Sequence, residues 1–219
     1  MADLGRPDVA VTAAADPDQL DRYLRSYTTE ATARRDGDSD LAAYLATRQD
    51  SIGIPPSVNL AEPLHQVELP PGLADRPPLS RLMALTGQHV ALVNDLFSAG
   101  KERACGETYN SVLIIQRARQ CAPASAARQV MDMIAAIHQE FQQLSAELAG
   151  LLDRQAASQR ERTAVAVHLA CMRLDALQPH LVAAHRPVQR PGRVLGPAAA
   201  AVVRADHYTA QYPMTGTVH

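Results

Sequence analysis

The chain has 219 residues, 47% of them hydrophobic, and its 21 basic and 23 acidic side chains leave a formal net charge of −2. That length and apolar content suffice to bury a core, while the near-neutral balance, with no basic stripe, excludes a nucleic-acid-binding surface. No run of 18 apolar residues and no charged-then-apolar leader is present, so no membrane partner is expected and the reading is cytoplasmic.

Asp16-Pro17-Asp18 opens a first helix with a cap, a first-turn proline and acidic residues at the positive end of the dipole. Leu20, Tyr23, Leu24 and Tyr27 follow at helical spacing, and Gly37 ends the element. Asp40 caps a second helix in which Leu41, Tyr44, Leu45 and Arg48 share a stripe, and Gly53, Pro55 and Pro56 break it just past Arg48. From Pro55 to Pro78 the prolines leave room only for short helical pieces, one containing Val58, Leu60 and Leu64. A long helix over 79–102 has a buried side made by Leu82, Leu85, His89, Leu92, Val93 and Leu96. Further helices are expected over 108–119, 124–152 and about 160–172. No useful strand alternation and no internal repeat occurs, so the fold class is all-α. Cys105, Cys121 and Cys171, odd in number and without a Cys-x-x-Cys pair, read as reduced and mostly packed thiols.

The helix over 79–102 carries the most informative pattern. Asn94, Ser98 and Glu102 stand at i, i+4 and i+8, and each step of four drifts only about 40° around a helix, so an amide, a hydroxyl and a carboxylate share one face. Helical side chains lean toward the N-terminus, which lets the longer Glu102 reach back toward Ser98 and Asn94. Such a claw of hard oxygens suits Mg²⁺, which takes a few protein oxygens and completes its shell with water and substrate phosphates.

The stretch Asn94-Asp95-Leu96-Phe97-Ser98-Ala99-Gly100-Lys101-Glu102 resembles the metal-binding motif of class I terpene synthases of the microbial type. The likeness extends to Tyr44-Leu45-Ala46-Thr47-Arg48, whose arginine stands 46 residues before Asn94 as the family's diphosphate sensor does, and to Glu107-Thr108-Tyr109-Asn110-Ser111-Val112, similar to a family helix start. The resemblance implies part of a class I terpenoid synthase helical bundle in which Asn94, Ser98 and Glu102 bind one Mg²⁺. It implies that Arg48 binds the diphosphate of an isoprenyl substrate of the geranyl or farnesyl class, in a concavity shared with Glu102. Lys101 would add a point charge, and Ser51 and Ile52 would couple diphosphate binding to ionisation through the helix break.

Two departures from the family shape the expected function. The Asp-rich motif that binds two further Mg²⁺ ions should lie further upstream than the 93 residues preceding Asn94 allow, and Asp36-Gly37-Asp38-Ser39-Asp40 reads as a turn and cap. The chain has no Trp and two Phe, whereas a cyclisation pocket of this family relies on aromatic faces. The expectation is therefore an incomplete synthase, inactive alone, with a complementary N-terminal half carrying the Asp-rich motif as partner. The alternatives are one half of a split enzyme or a non-catalytic helical interaction module.

At the other end, the family's pair of tryptophans and following Arg-Tyr are missing from 174–190. Read one nucleotide out of frame, with CTG codons at Leu174 and Leu181, both leucines become Trp, while Gln178, His185, Pro187 and Val188 can become Asn, Thr, Arg and Tyr at the family's spacing. The expected organisation is a partial synthase domain over 1–172, with its motif-bearing core at about 20–172, and a frameshifted, Pro/Ala-rich tail over 173–219. Pro179, Pro187, Pro191 and Pro197 interrupt any helix in that tail, at about 3 kcal/mol for each interior proline. Limited proteolysis should remove the tail first and leave a core ending near Met172; a tail that resists cleavage as long as the core contradicts the assignment.

Overall fold

A computed structural model describes residues 17–173, apart from 38 and 71; the sequence readings for the tail lie outside the described residues. Eight helices follow one another: α1 (Pro17–Asp36), α2 (Leu41–Ser51), α3 (Ile54–Asn59), α4 (Ala61–His65), α5 (Leu79–Ala104), α6 (Ser111–Arg119), α7 (Pro123–Arg154) and α8 (Gln159–Cys171). No strand occurs among the described residues, and no helix there is long and apolar enough to cross a membrane.

Local chemistry accounts for the helix boundaries. Gly37 ends α1 at φ 71, and the Asp40 carboxylate accepts from Ala43 N–H at 2.8 Å to open α2. At its far end the Ile52 N–H closes onto the Arg48 carbonyl, and Gly53 turns the chain at φ 81. The single piece expected to hold Val58, Leu60 and Leu64 is instead two short helices meeting at Leu60, with Val58 buried and Leu60 and Leu64 exposed. Pro63 has no N–H to give the Asn59 carbonyl, so one continuous helix cannot form there. The helix expected from 108 starts at Ser111, because Asn110 caps it and the Glu107 carboxylate holds the N–H groups of Thr108 and Tyr109 outside it. All three cysteines are free, with Cys121 and Cys171 half-buried; Cys105 differs from expectation in being exposed, since it is the residue that ends α5.

Helix α5 is the spine, touching α2, α3, α6 and α7. Its Leu85, Leu92 and Val93 pack with Val112 and Ile115 of α6 and with Val130, Ile134 and Ile137 of α7. A second cluster joins Leu79 and Leu82 to Leu148 and Leu152 of α7 and to Ala164 and Val165 of α8. Each fully buried Leu, Ile or Val contributes about 1.5–3 kcal/mol relative to exposure. His89 belongs to this buried side, its Nε2 3.1 Å from that of His138; burial and the neighbouring imidazole push its pKa down to about 3, so it is a neutral core residue.

One contact sets where α2 lies on α5. A Cβ at Gly87 would come within 2.6 Å of the Gln49 backbone carbonyl oxygen, so the two helices touch backbone to backbone beside Arg48. The adjacent Gln88 donates to the Gln49 side chain at 3.0 Å and fixes the register. Gly87→Ala would ordinarily favour a helix interior by about 1 kcal/mol. Here the added methyl meets backbone that must move, so the variant should instead be destabilised by about 1–3 kcal/mol, read as a lower midpoint in urea unfolding. A stability gain would mean that α2 is free to shift.

Candidate metal and diphosphate site

Asn94, Ser98 and Glu102 all lie on α5, Ser98 buried and the other two half-buried. Ser98 and Glu102 turn their oxygens to one point: the Asn110 amide nitrogen donates to Glu102 Oε2 at 2.9 Å and to Ser98 Oγ at 3.3 Å. It also donates to the Asp95 backbone carbonyl at 3.1 Å. Asn110 thus joins Glu102 to Ser98, one turn earlier on the helix.

The Asp95 carboxylate, on nearly the same helix face as Glu102 but two turns earlier, is committed to other partners. Asp95 is 2% exposed, and its Oδ2 accepts from the Tyr44 hydroxyl of α2 at 2.6 Å and from the Ser111 N–H at the start of α6 at 2.8 Å. Burial raises its pKa to about 6, restrained by the hydrogen bonds from Ser111 and Tyr44 and by the charge of Arg48. Burial, reinforced by the Asp95 charge and hydrogen bond, also pushes the Tyr44 phenol well above its usual range, so the shared proton stays on the tyrosine.

Arg48, one turn beyond Tyr44, is 8% exposed. Its Nη1 donates to Glu30 of α1 at 3.1 Å and to Ser51 Oγ at 3.2 Å, and the Ser51 hydroxyl donates in turn to the same Glu30 oxygen. Its Nε is buried with no hydrogen-bond partner, an uncommitted donor on a charged group. The second Glu30 oxygen is taken by Arg34, at 2.7 and 3.0 Å; Arg34 also reaches Glu107 at 2.8 Å and lies 5.0 Å over the Tyr109 ring. Burial works against the Glu30 charge, but Ser51 and the two guanidiniums outweigh it and hold the carboxylate below its ordinary pKa.

The remaining sequence-derived residues are more peripheral. Ile52 is half-buried and forms the C-terminal cap of α2. Lys101 is exposed in the last turn of α5, where a cation is favourable to the helix dipole. A cavity of about 200 Å³ lies between the far end of α7 and the loop before α5, lined by Pro70, Leu73, Leu152 and Ala157, and none of the motif residues contributes to it. Three residues escaped the sequence reading as parts of the site: Glu30, Asp95 and Asn110. Asp95 sits inside the motif, seven residues before Glu102 and on nearly the same helix face, so spacing alone did not separate its role from that of the claw; Asn110 was legible only as a helix start; Glu30 carries no sequence signal, since only folding brings α1 against Arg48.

The donors fit a hard cation. Amide, hydroxyl and carboxylate oxygens suit Mg²⁺, and the two placed oxygens converge. No three His, Cys, Asp or Glu side chains gather among the described residues, so a cation here would depend on this mixed set together with ligand oxygens.

The chain and its all-α fold have counterparts among known proteins. Residues 17–140 match the family model described as "Terpene synthase family 2, C-terminal metal binding", and the chain belongs to that terpene synthase family. It is 34% identical over 168 residues to (2Z,6E)-hedycaryol synthase of Kitasatospora setae, covering 76% of this chain and 49% of that protein. It is 32% identical over 159 residues to isoafricanol synthase of Streptomyces violaceusniger, covering 69% and 41%. The chain thus spans about half the length, or less, of these curated relatives. Among solved structures, hedycaryol synthase in complex with nerolidol superposes with a TM-score of 0.65 at 31% identity, over 82% of this chain and 60% of that one. A linalool/nerolidol synthase of Streptomyces clavuligerus in complex with 2-fluorogeranyl diphosphate has a TM-score of 0.66 at 22% identity, over 81% and 61%, a likeness of fold.

Glu30 offers a direct test of how Arg48 is held. Removing one partner of a buried ion pair costs about 3 kcal/mol, so Glu30→Gln should lower stability by roughly that amount near neutral pH. The Glu30 pKa is depressed in the folded state, so its contribution is present above the unfolded value and is lost as pH falls through the folded one. The gap between wild type and variant in urea unfolding should therefore be widest above about pH 5 and shrink in acid; a gap independent of pH would show that the ion pair does not stabilise the fold.

Proposed function

We propose that this chain supplies the diphosphate-binding part of a class I terpene synthase site, in which Asn94, Ser98 and Glu102 hold one Mg²⁺ and Arg48 binds the diphosphate of an isoprenyl substrate of the geranyl or farnesyl class. The observation that carries the reading is the convergence of Ser98 and Glu102 on one point, in a polar network that passes through Asp95 to the helix of Arg48. Bound Mg²⁺ would offset the charge of the diphosphate and favour its departure as leaving group.

The protein's own part is to grip and orient. Arg48 presents a planar fork whose Nε is uncommitted, suited to phosphate oxygens. Asp95 and Glu30 offset its charge from two sides, which keeps the guanidinium protonated despite burial. Ser51 and Ile52 flank the helix break at Gly53, so a shift of Arg48 toward a ligand passes to the segment that follows. Lys101, on the exposed side of the claw, adds a point charge for the same anion.

One metal site neutralises less leaving-group charge than three, so the chain alone does not turn over substrate in this reading; it acts with a helical partner carrying an Asp-rich motif. Leu20, Leu24 and Tyr27 of α1, 45%, 57% and 49% exposed on one stripe, favour such a packing role, either as half of a split enzyme or as a non-catalytic interaction module.

Calorimetric titration of inorganic diphosphate in the presence of Mg²⁺ tests the site. Glu102→Ala and Arg48→Ala should each weaken binding about tenfold or more, the order expected when one charge-assisted hydrogen bond or ligand is lost. Gas chromatography after incubation with geranyl or farnesyl diphosphate should show no product from the chain alone. Unchanged binding in both variants would remove the site assignment, and product from the wild type that Glu102→Ala abolishes would make the chain a complete catalyst.

A further inference from the structure

We propose that Asn110 is a positioning residue for the metal site, a side chain that presets Ser98 and Glu102 while it starts α6; the inference rests on the reading of Ser98 and Glu102 as metal ligands.

The orientation of its amide is fixed by what surrounds it. Asn110 is fully buried, and its Oδ1 accepts from Val112 N–H at 2.9 Å and from Leu113 N–H at 3.4 Å, capping α6. These two donors require an oxygen at that position, so the nitrogen must face the other way. There it meets three acceptors, the Asp95 carbonyl, Ser98 Oγ and Glu102 Oε2. A flipped amide would set its oxygen against three oxygens and its nitrogen against two N–H groups, so only one arrangement is stable.

This arrangement does for the claw what helix geometry alone does not. Glu102 lies two residues before the end of α5, is half-buried, and would otherwise sample several rotamers. The bond from Asn110 draws its carboxylate back toward Ser98 and occupies Oε2 alone, which leaves Oε1 and further lone pairs for a cation. Ser98 receives the longest of the three contacts and keeps lone-pair capacity as well. Asn110 therefore acts through Ser98 and Glu102 and does not itself offer an oxygen to the metal, its Oδ1 being committed to α6. Because the same amide caps α6 and holds the ligands, the start of α6 and the metal face of α5 are set together.

The test separates positioning from capping by substituting serine, which caps helices about as well as asparagine but is too short to reach Glu102. The full-length chain is titrated with Mn²⁺ as a spectroscopic stand-in for Mg²⁺, free ion being measured by electron paramagnetic resonance. Thermal unfolding is followed in parallel. Asn110→Ser should retain a melting temperature close to wild type and bind Mn²⁺ about tenfold or more weakly, the usual cost of removing an outer partner of a metal ligand. Ile134→Val, in the core of α7 and with no polar contact to the claw, supplies a destabilised control that should keep wild-type affinity. Wild-type Mn²⁺ affinity in Asn110→Ser overturns the inference while Glu102→Ala still abolishes binding. An affinity loss in Ile134→Val equal to that in Asn110→Ser also overturns it, since stability alone would then set affinity. If the wild type binds no Mn²⁺, or Glu102→Ala binds as well as wild type, the metal reading itself fails and this inference with it.

Discussion

A single buried carboxylate ties together the three helices on which the candidate site stands. Asp95 projects from α5, takes the Tyr44 hydroxyl from α2 and the Ser111 N–H from α6, and is almost wholly removed from water. Burying a carboxylate is costly unless its lone pairs are met, and these partners, with the charge of Arg48 nearby, offset part of that cost while fixing three elements. Ser98 and Glu102 follow it by one and two turns on nearly the same side of the helix. Moving Asp95 would move the helix of Arg48 and the candidate metal face together, so site geometry and core geometry are one problem in this protein.

Charge balance around Arg48 is the second constraint. The guanidinium is shielded from solvent by α1 and α2, yet it is met by carboxylates on two sides, one directly through Glu30 and one across Tyr44 through Asp95. Glu30 serves two arginines, and Arg34 continues to Glu107, whose other oxygen shapes the turn before α6. The result is a chain of alternating charge from α1 to the α5–α6 corner. Such a chain is sensitive to the arrival of a further anion, because every member is already shared.

Much of the fold was legible in the sequence, for reasons that can be traced to particular residues. Asp40, Gly37, Gly53 and the prolines punctuate the chain strongly, and the apolar stripe of α5 is unbroken from Leu82 to Val93, so helix order and most boundaries follow from caps and periodicity. The break at Leu60 was not read because the effect of Pro63 falls one turn upstream of itself. In the candidate site, the i, i+4, i+8 spacing sufficed to set Asn94, Ser98 and Glu102 on one helix, which needs no tertiary information. Glu30 stayed hidden because its role exists only once α1 lies on α2, and Asn110 because a cap and a clamp look identical in one dimension.

The backbone contact between Gly87 and Gln49 bears on how motion could travel. Side chains separating two helices can change rotamer and let the helices slide, but here no side chain intervenes at the point of closest approach. The body of α2 is therefore seated directly on the backbone of α5. Gly53, in the left-handed region, makes the turn from α2 into α3. Any rearrangement of the chain between Arg48 and α3 would therefore have to be made at Gly53, with α2 held in place on the spine.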